Sequence, residues 1–492
     1  MTSLTHKLTP IVIAMLVTGC AVGPDYQPPE VDLATTYIHS NNQRSADSQQ
    51  HAESNYWWHQ FNDETLNKMI ADVQQQNIPL TVAAERISMA NSYHSIVESF
   101  KVPTVNIGAS YFNYQLSKND SMLGSALNPI GDSVGGLPPQ LGAMTLSDNQ
   151  HDGGFVGASI AWEADIFGRL DRQANAAKIR VEQAEIFQNG LTTLITSDLI
   201  HNYLQYRGAQ ERIDLALANV EDQRKTLDLV KKVVSSGYGS ELDLAQAQTL
   251  LAATESMIPQ LETAQQVHKH RLAVLLSEPL SQVDIRLAQH QPLPLMNDVI
   301  PTGLPSDLLT RRPDIRIAER EMAAINEEVG AAIANRYPKF FLTGVPGVTA
   351  GSFDDLFSSD SIGWAGAAGV SWNVFDGGRG EAMVELHESR FQIAAMHYQH
   401  AVDSAFAEVD SALFNYGRAQ ENHSRIVHAN EASDTAVSKA KSLYRAGLID
   451  HLSVLDAQRQ QKMMQDRQIA ARLQSAQATV LVYKALGGDW QI

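Results

Sequence analysis

The sequence predicts a mixed α+β membrane protein in which one arrangement, a strand pair feeding a very long antiparallel helix pair, occurs twice in 492 residues. Three observations carry this reading. First, landmarks recur at an offset of 210 residues: Gly237-Tyr-Gly-Ser-Glu-Leu-Asp-Leu-Ala-Gln-Ala-Gln248 lies over Gly447-Leu-Ile-Asp-His-Leu-Ser-Val-Leu-Asp-Ala-Gln458, Trp162 over Trp372 and Arg169 over Arg379. Distant landmarks that keep one register indicate an internal duplication. Second, the 68 residues from Arg169 to Ser236 hold no proline and only Gly190 and Gly208, while Leu191, Leu194, Ile195 and Leu199 recur at helical spacing. Such a helix would reach about 100 Å at 1.5 Å per residue, longer than a globular domain needs. Third, short segments before each rod alternate small with larger apolar residues, as strands do when one face meets lipid and the other water.

The elements follow in chain order. His6 and Lys7 precede an apolar run from Leu8 to Val17, and Val17-Thr18-Gly19-Cys20 ends in the only cysteine. The run is too short to span a bilayer as a helix and has the form of a secretory leader. Residues 1–19 are thus expected to be a lipoprotein signal peptide, with Cys20 acylated and no thiol left for a disulfide. Ala21 follows instead of the aspartate that retains such proteins on the inner membrane, which favours the outer membrane. Residues 20–61 read as a lipid-anchored extended arm, polar and without periodicity from Gln27 to Ser54, leading to a first helix near Asn62.

The first repeat covers residues 62–276, with strands about 102–115 and 153–163. Its rod ends at Gly237 and turns through 237–239, and a return helix runs from Ser240 to Leu276. Residues 277–313 form an irregular equatorial linker, where Pro292, Pro294, Pro301 and Pro305 stop helices. The second repeat covers 314–486, with strands about 337–348 and 363–374, a rod from Arg379 to Ala446, a turn at 447–449 and a return helix to Leu486. Residues 487–492 are a tail. Gly168, Gly377 and Gly378 stand where each second strand must swivel into its rod.

Four strands cannot close a barrel, and an open sheet edge in lipid leaves backbone groups unpaired at several kcal/mol each. If the strands cross the outer membrane, closure must come from other subunits; three copies would supply twelve strands, which favours a trimer and leaves a larger ring as the alternative. The rods exceed the ~30 Å hydrocarbon core and would project into the periplasm as a helical wall around water.

Motifs spread from Cys20 to Trp490 carry a family resemblance: Cys20-Ala-Val-Gly-Pro-Asp-Tyr26, Trp57-Trp-His-Gln-Phe-Asn-Asp63, Trp162-Glu-Ala-Asp-Ile-Phe-Gly-Arg169, Gly303-Leu-Pro-Ser-Asp-Leu-Leu-Thr-Arg-Arg-Pro-Asp-Ile-Arg316, Trp372-Asn-Val-Phe-Asp-Gly-Gly-Arg379 and Lys484-Ala-Leu-Gly-Gly-Asp-Trp490. With them the chain resembles the TolC-like outer membrane factors of tripartite efflux systems, in their NodT-type lipoprotein branch. The resemblance implies a homotrimeric channel-tunnel, with a shared 12-stranded barrel continued by an α-helical barrel. It also implies a periplasmic adaptor protein and a proton-driven inner-membrane transporter as partners. The function it implies is a passive exit duct for small toxic compounds, gated by iris-like movement of the periplasmic tip. A protein-secretion duct and a non-conducting envelope scaffold are the alternatives.

Site expectations centre on the tip. Asp456 lies nine residues past Gly447; a threefold assembly would make it a ring of three carboxylates that repel one another and favour cations, unless it is only a solvated helix residue. The resemblance implies an acidic aperture here with a second carboxylate one turn earlier, where this chain has Ser453. It also implies that Tyr444 donates to Asp243 to hold the tip shut, against ordinary packing for Tyr444. An arginine expected two residues past the second glycine is replaced by Ile449, with Arg445 nearby to compensate. The turns Gly237, Tyr238, Gly239 and Gly447, Leu448, Ile449 are the expected adaptor-docking points.

Other chemistries find little support. Gly377-Gly378 lacks the lysine and hydroxyl residue of a phosphate loop. His268 and His270 cannot share a helix face, and His397 and His400 lack a supporting acid, so no metal site is expected. No enzyme activity and no cofactor are expected beyond the covalent lipid at Cys20. The net charge is −18, becoming −19 once the leader and its one charged residue, Lys7, are removed. Such acidity disfavours nucleic acid and fits a lumen biased against anions.

Overall fold

A computed structural model describes residues 21–31, 36–39, 56–115, 150–294, 300, 305–352 and 354–488. The leader, Cys20 and the last four residues lie outside the described residues. The chain divides into two compact units.

The first unit comprises Met1–Tyr26, Asn91–Lys178 and Ala324–Phe391. It holds a four-stranded antiparallel sheet in the order β1 (Thr104–Gln115), β2 (Gln150–Ala164), β3 (Lys339–Ala350) and β4 (Ile362–Ser371). All four expected strands are present, within about three residues of their expected ends. Pro346 sits inside β3, where its missing N–H should break a ladder. The β2–β3 pairing skips Val345 and Pro346, yet Gly157↔Gly347 and Ile160↔Gly344 keep one register on either side.

The N-terminal arm is docked in this unit. Val22 N–H donates to Phe167 O at 3.2 Å, and the Asn326 amide donates to Pro24 O at 3.0 Å. Arg172, buried, reaches Glu327 at 2.9 Å and Asp25 at 3.2 Å. These contacts join segments about 150 and 300 residues from the arm, so nothing local in the sequence announces them.

The second unit comprises Gln27–Ala90, Ile179–Ala323 and Gln392–Ile492. A 3-10 turn at Trp57–Phe61 precedes α1 (Glu64–Gln76), so the extended arm ends earlier than residue 61. Burial drives this: Trp57, Trp58 and Phe61 are all buried, and Trp57 stacks on Tyr483 at 4.4 Å. Asp63 caps α1 by accepting from Leu66 N–H at 3.0 Å, and Leu66, Met69, Ile70 and Val73 form its buried stripe. Asn77 separates α1 from α2 (Ile78–Ser99); its side chain donates to Leu275 O at 2.7 Å and accepts from Leu80 N–H at 3.2 Å.

The rods are α3 (Arg169–Ser235) and α8 (Arg379–Arg445), each of 67 residues, and the return helices are α4 (Glu241–Leu276) and α9 (His451–Ala485). Helix α4 runs through Pro259, a residue type that ordinarily kinks or breaks a helix interior. The linker is less irregular than its prolines imply. It contains α5 (Leu280–Leu287), with Val283 and Leu287 buried one turn apart, and the single turn α6 (Leu308–Arg311). Pro313 then opens α7 (Pro313–Ala334), a position where its lacking N–H costs nothing.

The fully buried side chains of this unit include Leu199, Ile200, Tyr203 and Leu204 of α3, Leu272 and Leu276 of α4 and Val283 of α5. Arg207 is 0% exposed among them. Its Nε donates to Tyr203 Oη at 3.1 Å and its Nη1 to Gln210 Oε1 at 2.8 Å and Gln289 O at 3.1 Å, neutral acceptors that meet part of what a buried guanidinium requires.

Candidate functional site

The sheet register sorts the strands into two chemically opposite faces. Side chains alternate along a strand, so one face carries Val105, Ile107, Ala109 and Tyr111 of β1, and Val156, Ala158, Ile160 and Trp162 of β2. It continues through Phe340, Leu342, Pro346 and Val348 of β3 to Ile362, Trp364, Ala368 and Val370 of β4. No charge interrupts it between these positions. The other face carries Thr104, Asn106, Ser110, Ser159, Glu163, Lys339, Thr343 and Thr349 among glycines, alanines and a few larger apolar residues. The apolar face is uncovered: Ile107 is 86% and Trp364 83% exposed. A patch this continuous marks a lipid or partner surface, since water would penalise it.

Bulky aromatics of this face lie toward the strand ends, Phe340 and Trp162 at one and Tyr111 and Trp364 at the other. From Gly154 to Ala164 the apolar stretch of β2 measures about 33 Å, or about 23 Å of membrane depth at a 45° tilt. That matches the ~25 Å apolar band with aromatic girdles seen in membrane strands.

Each strand-to-helix junction is fastened alike. Trp162 donates its indole N–H to Lys101 O at 2.9 Å, and Trp372 donates to Arg336 O at 2.9 Å. Gly168, Gly377 and Gly378 take φ of +77°, +69° and +86°, the swivel conformation that side chains disfavour. Gly168 has the arm packed on it as well: a Cβ there would lie 2.9 Å from that of Ala21. Asp376 accepts from Gly378 N–H at 3.0 Å and Gly380 N–H at 2.7 Å, capping α8.

The helical turns are near-copies. Gly237 N–H donates to Val234 O at 2.9 Å and Tyr238 N–H to Val233 O at 3.1 Å; Gly447 N–H donates to Tyr444 O at 2.9 Å and Leu448 N–H to Leu443 O at 3.0 Å. This is the helix stop in which a glycine takes positive φ, here +79° and +73°. Both turns project a large side chain, Tyr238 at 90% and Leu448 at 70% exposure, while Gly239 and Ile449 are half-buried.

Asp243 and Ser453 both serve helix starts. Ser240 Oγ accepts from Leu242 N–H at 3.0 Å while Asp243 accepts from Ser240 N–H at 3.3 Å, a reciprocal cap. Asp450 accepts from Ser453 N–H at 2.9 Å and from Ser453 Oγ at 2.5 Å. The serine that replaces an expected carboxylate therefore works as a partner of the cap. Tyr444 lies half-buried on the last turn of α8.

Asp456 accepts from Arg459 Nη2 at 2.5 Å and Gln460 Nε2 at 3.0 Å. Arg459 was missed in the sequence, although its i+3 spacing from Asp456 was a readable signal. Helix α9 is tied to α3 by Arg212–Asp466 at 2.6 Å and Arg472–Glu211, and to α8 by Gln461–Asp434 at 2.7 Å. Lys462, half-buried 3.9 Å from Asp222, has its pKa lowered by burial.

Further along the arm, Tyr37 stacks on Phe406 at 5.7 Å and His39 bonds Asp410 at 2.7 Å. Residues 371 positions apart meet here, a contact that sequence spacing cannot reveal. Among the described residues no group of three or more His, Cys, Asp or Glu is placed to hold a metal ion. Nor, among them, is any helix long and apolar enough to cross a membrane.

A mostly helical chain with a small sheet, whose uncovered apolar face suits lipid, has the fold of a channel-tunnel. The chain belongs to the outer membrane efflux protein family, whose model matches residues 69–278 and 304–488. The solvent efflux pump outer membrane protein SrpC of Pseudomonas putida is 28% identical over 498 residues, covering 99% of this chain and 99% of that protein. Nodulation protein T of Rhizobium leguminosarum bv. viciae is 28% identical over 487 residues, covering 99% of this chain and 94% of that one. The solved outer-membrane channel OprN is 32% identical with a TM-score of 0.83, over 95% of this chain and 99% of that chain. The family is one of transport ducts rather than enzymes, and its place is the outer membrane.

Proposed function

We propose that the chain is the passive outer-membrane exit duct of a tripartite efflux pump, passing small toxic compounds to the exterior. The observation that carries this is the uncovered apolar face across all four strands, with a polar and small-residue face behind it. Strands β1 and β4 are the sheet edges, and lipid would charge several kcal/mol for each of their unpaired backbone groups. Three copies, edge to edge, make a 12-stranded barrel with the polar face around water. The matched start and end of α3 and α8, 210 residues apart, support an internal duplication, so a homotrimer offers six similar turns.

Those turns, at Gly237, Tyr238 and Gly239 and at Gly447, Leu448 and Ile449, dock a periplasmic adaptor protein, and a proton-driven inner-membrane transporter supplies the energy. Tyr238 and Leu448, projecting from tightly capped turns, support that role. The aperture is gated by Asp456, Ser453, Asp243 and Tyr444 in an iris-like movement, and an acyl chain on Cys20 adds an anchor in the outer-membrane lipid. The relatives' names, a solvent efflux pump protein among them, support small apolar cargo.

Reconstitution of the purified protein in planar bilayers tests the reading. Discrete steps of conductance are expected; their absence from properly folded protein would make the chain an envelope scaffold instead. Passage of an unfolded polypeptide in preference to small solutes would make it a secretion duct.

A further inference from the structure

Of the phenylalanines on the second sheet face, Phe112, Phe155 and Phe341, the first two rest on glycine. Phe112 pairs with Gly153 across β1–β2, and a Cβ built on the buried Gly153 would lie 2.8 Å from Phe112 Cζ and 3.1 Å from Cε2. Phe155 points to the same face and covers the cross-strand pair Gly157↔Gly347. A Cβ on Gly157 would lie 2.5 Å from Phe155 Cζ, and one on Gly347 would lie 2.7 Å from Cε2. Each ring thus occupies the space where a neighbour's side chain would begin. Covering glycine with a cross-strand aromatic removes apolar ring surface and bare backbone from water together.

Phe155 stands opposite Ser110, two residues from Phe112 on the same face of β1, but the Phe112 ring lies over Gly153 and the Phe155 ring over Gly157, so the rings form two tiers about 13 Å apart along β2. Both phenylalanines belong to the halves of β1 and β2 remote from Arg169. Bulk placed on a water-facing wall narrows the bore unless the wall is recessed beneath it. The three glycines supply that recess.

We infer that Gly153, Gly157 and Gly347 are recesses that seat Phe112 and Phe155 against the barrel wall and so set the width of the duct in its outer half. The inference rests on the duct reading above. With three copies, the six phenyl rings surround the lumen in two tiers of three, and their seating decides how large a solute leaves.

Gly153→Ala gives the cleaner test, because its Cβ meets chiefly the Phe112 ring, with Ala350 O at 3.1 Å needing only a small adjustment. Alanine at 157 or 347 would also press on backbone, at 2.6 Å from Pro346 O or 2.9 Å from Val156 O. Single-channel conductance and the exclusion of graded polyethylene glycols are measured for wild type, Gly153→Ala, Phe112→Ala, Phe155→Ala and the double variant Gly153→Ala/Phe112→Ala. Gly153→Ala should lower conductance and the size limit, and the double variant should restore both. Phe112→Ala and Phe155→Ala alone should raise them. Wild-type values in an assembled Gly153→Ala channel, or a loss not restored in the double variant, would overturn the inference. Should Gly153→Ala not assemble, the two phenylalanine variants decide: lower thermal stability with unchanged conductance would make the rings structural covers only. A wild-type protein without conductance would instead overturn the duct reading itself.

Discussion

Asp456 is held by Arg459 at 2.5 Å, one turn further along α9, so the carboxylate expected to ring the aperture carries a counter-charge from its own helix. Both side chains are substantially exposed, and an exposed i, i+3 pair of this kind is worth only a few tenths of a kcal/mol. The pair is therefore easily opened by a passing cation.

Replacing Asp456 with Asn should reduce cation preference and weaken block by multivalent cations added on the periplasmic side. Arg459→Gln should do the reverse, since it unmasks the carboxylate. Reversal potentials in asymmetric salt, read with block by a trivalent cation, check both. If neither variant shifts either quantity, the constriction lies elsewhere.

Tyr444→Phe keeps the ring and removes the donor, so leak conductance should rise if the phenol holds the tip shut through Asp243. A hydrogen bond to a charged acceptor contributes about 1.5–3 kcal/mol, enough to bias an aperture without opening it fully. The Asp243 carboxylate also caps α4, so Tyr444 is the cleaner position to alter. Leak equal to wild type would return Tyr444 to ordinary packing.

Tyr203 donates to Asp63 Oδ2 at 2.5 Å across 140 residues, and burial pushes the phenol pKa well up. The same carboxylate caps α1. Tyr203→Phe should lower stability by about 1.5–3 kcal/mol, as for a hydrogen bond to a charged group, with conductance unchanged at room temperature. Thermal melting in detergent reads the loss, and an unaltered midpoint would show that the carboxylate finds another donor.

His268 adds a pH dependence. The Asn202 amide donates to Asp198 O at 2.7 Å and Oδ1 at 2.8 Å, which turns its own oxygen toward His268 Nδ1 at 3.0 Å and makes that nitrogen the donor. Burial first, then His201, lowers the His268 pKa below its ordinary 6.5. The unfolded chain then binds this proton more readily than the folded one, so stability is complete above about pH 6.5 and declines as pH falls through it. His268→Gln should flatten part of that decline in melting temperatures between pH 8 and pH 5. Parallel profiles would assign the acid sensitivity to other groups.

The acyl anchor is tested by mass spectrometry of the mature N-terminus, which should begin at Cys20 and carry lipid. Cys20→Ser should lose the lipid yet still conduct once reconstituted. An unmodified terminus at another residue would rule the anchor out.

Local chemistry made the elements legible in the sequence by itself. Helix length follows from proline-free periodicity, and the turns from glycines that alone take positive φ cheaply at Gly237 and Gly447. Element order came from landmarks repeated in register. Such signals act within a few residues, so they survive without knowledge of the fold. Tertiary structure alone decided the pairings across hundreds of residues: Asp63 with Tyr203, His39 with Asp410, and Arg172 with Glu327 and the arm. It also decided which strand residues share a face, because weak alternation leaves a one-residue slip open in any single strand. Hydrogen bonding of four strands together removes that freedom, and only then do Ile107, Ile160, Leu342 and Trp364 emerge as one apolar surface, with Phe112 and Phe155 on the opposite side.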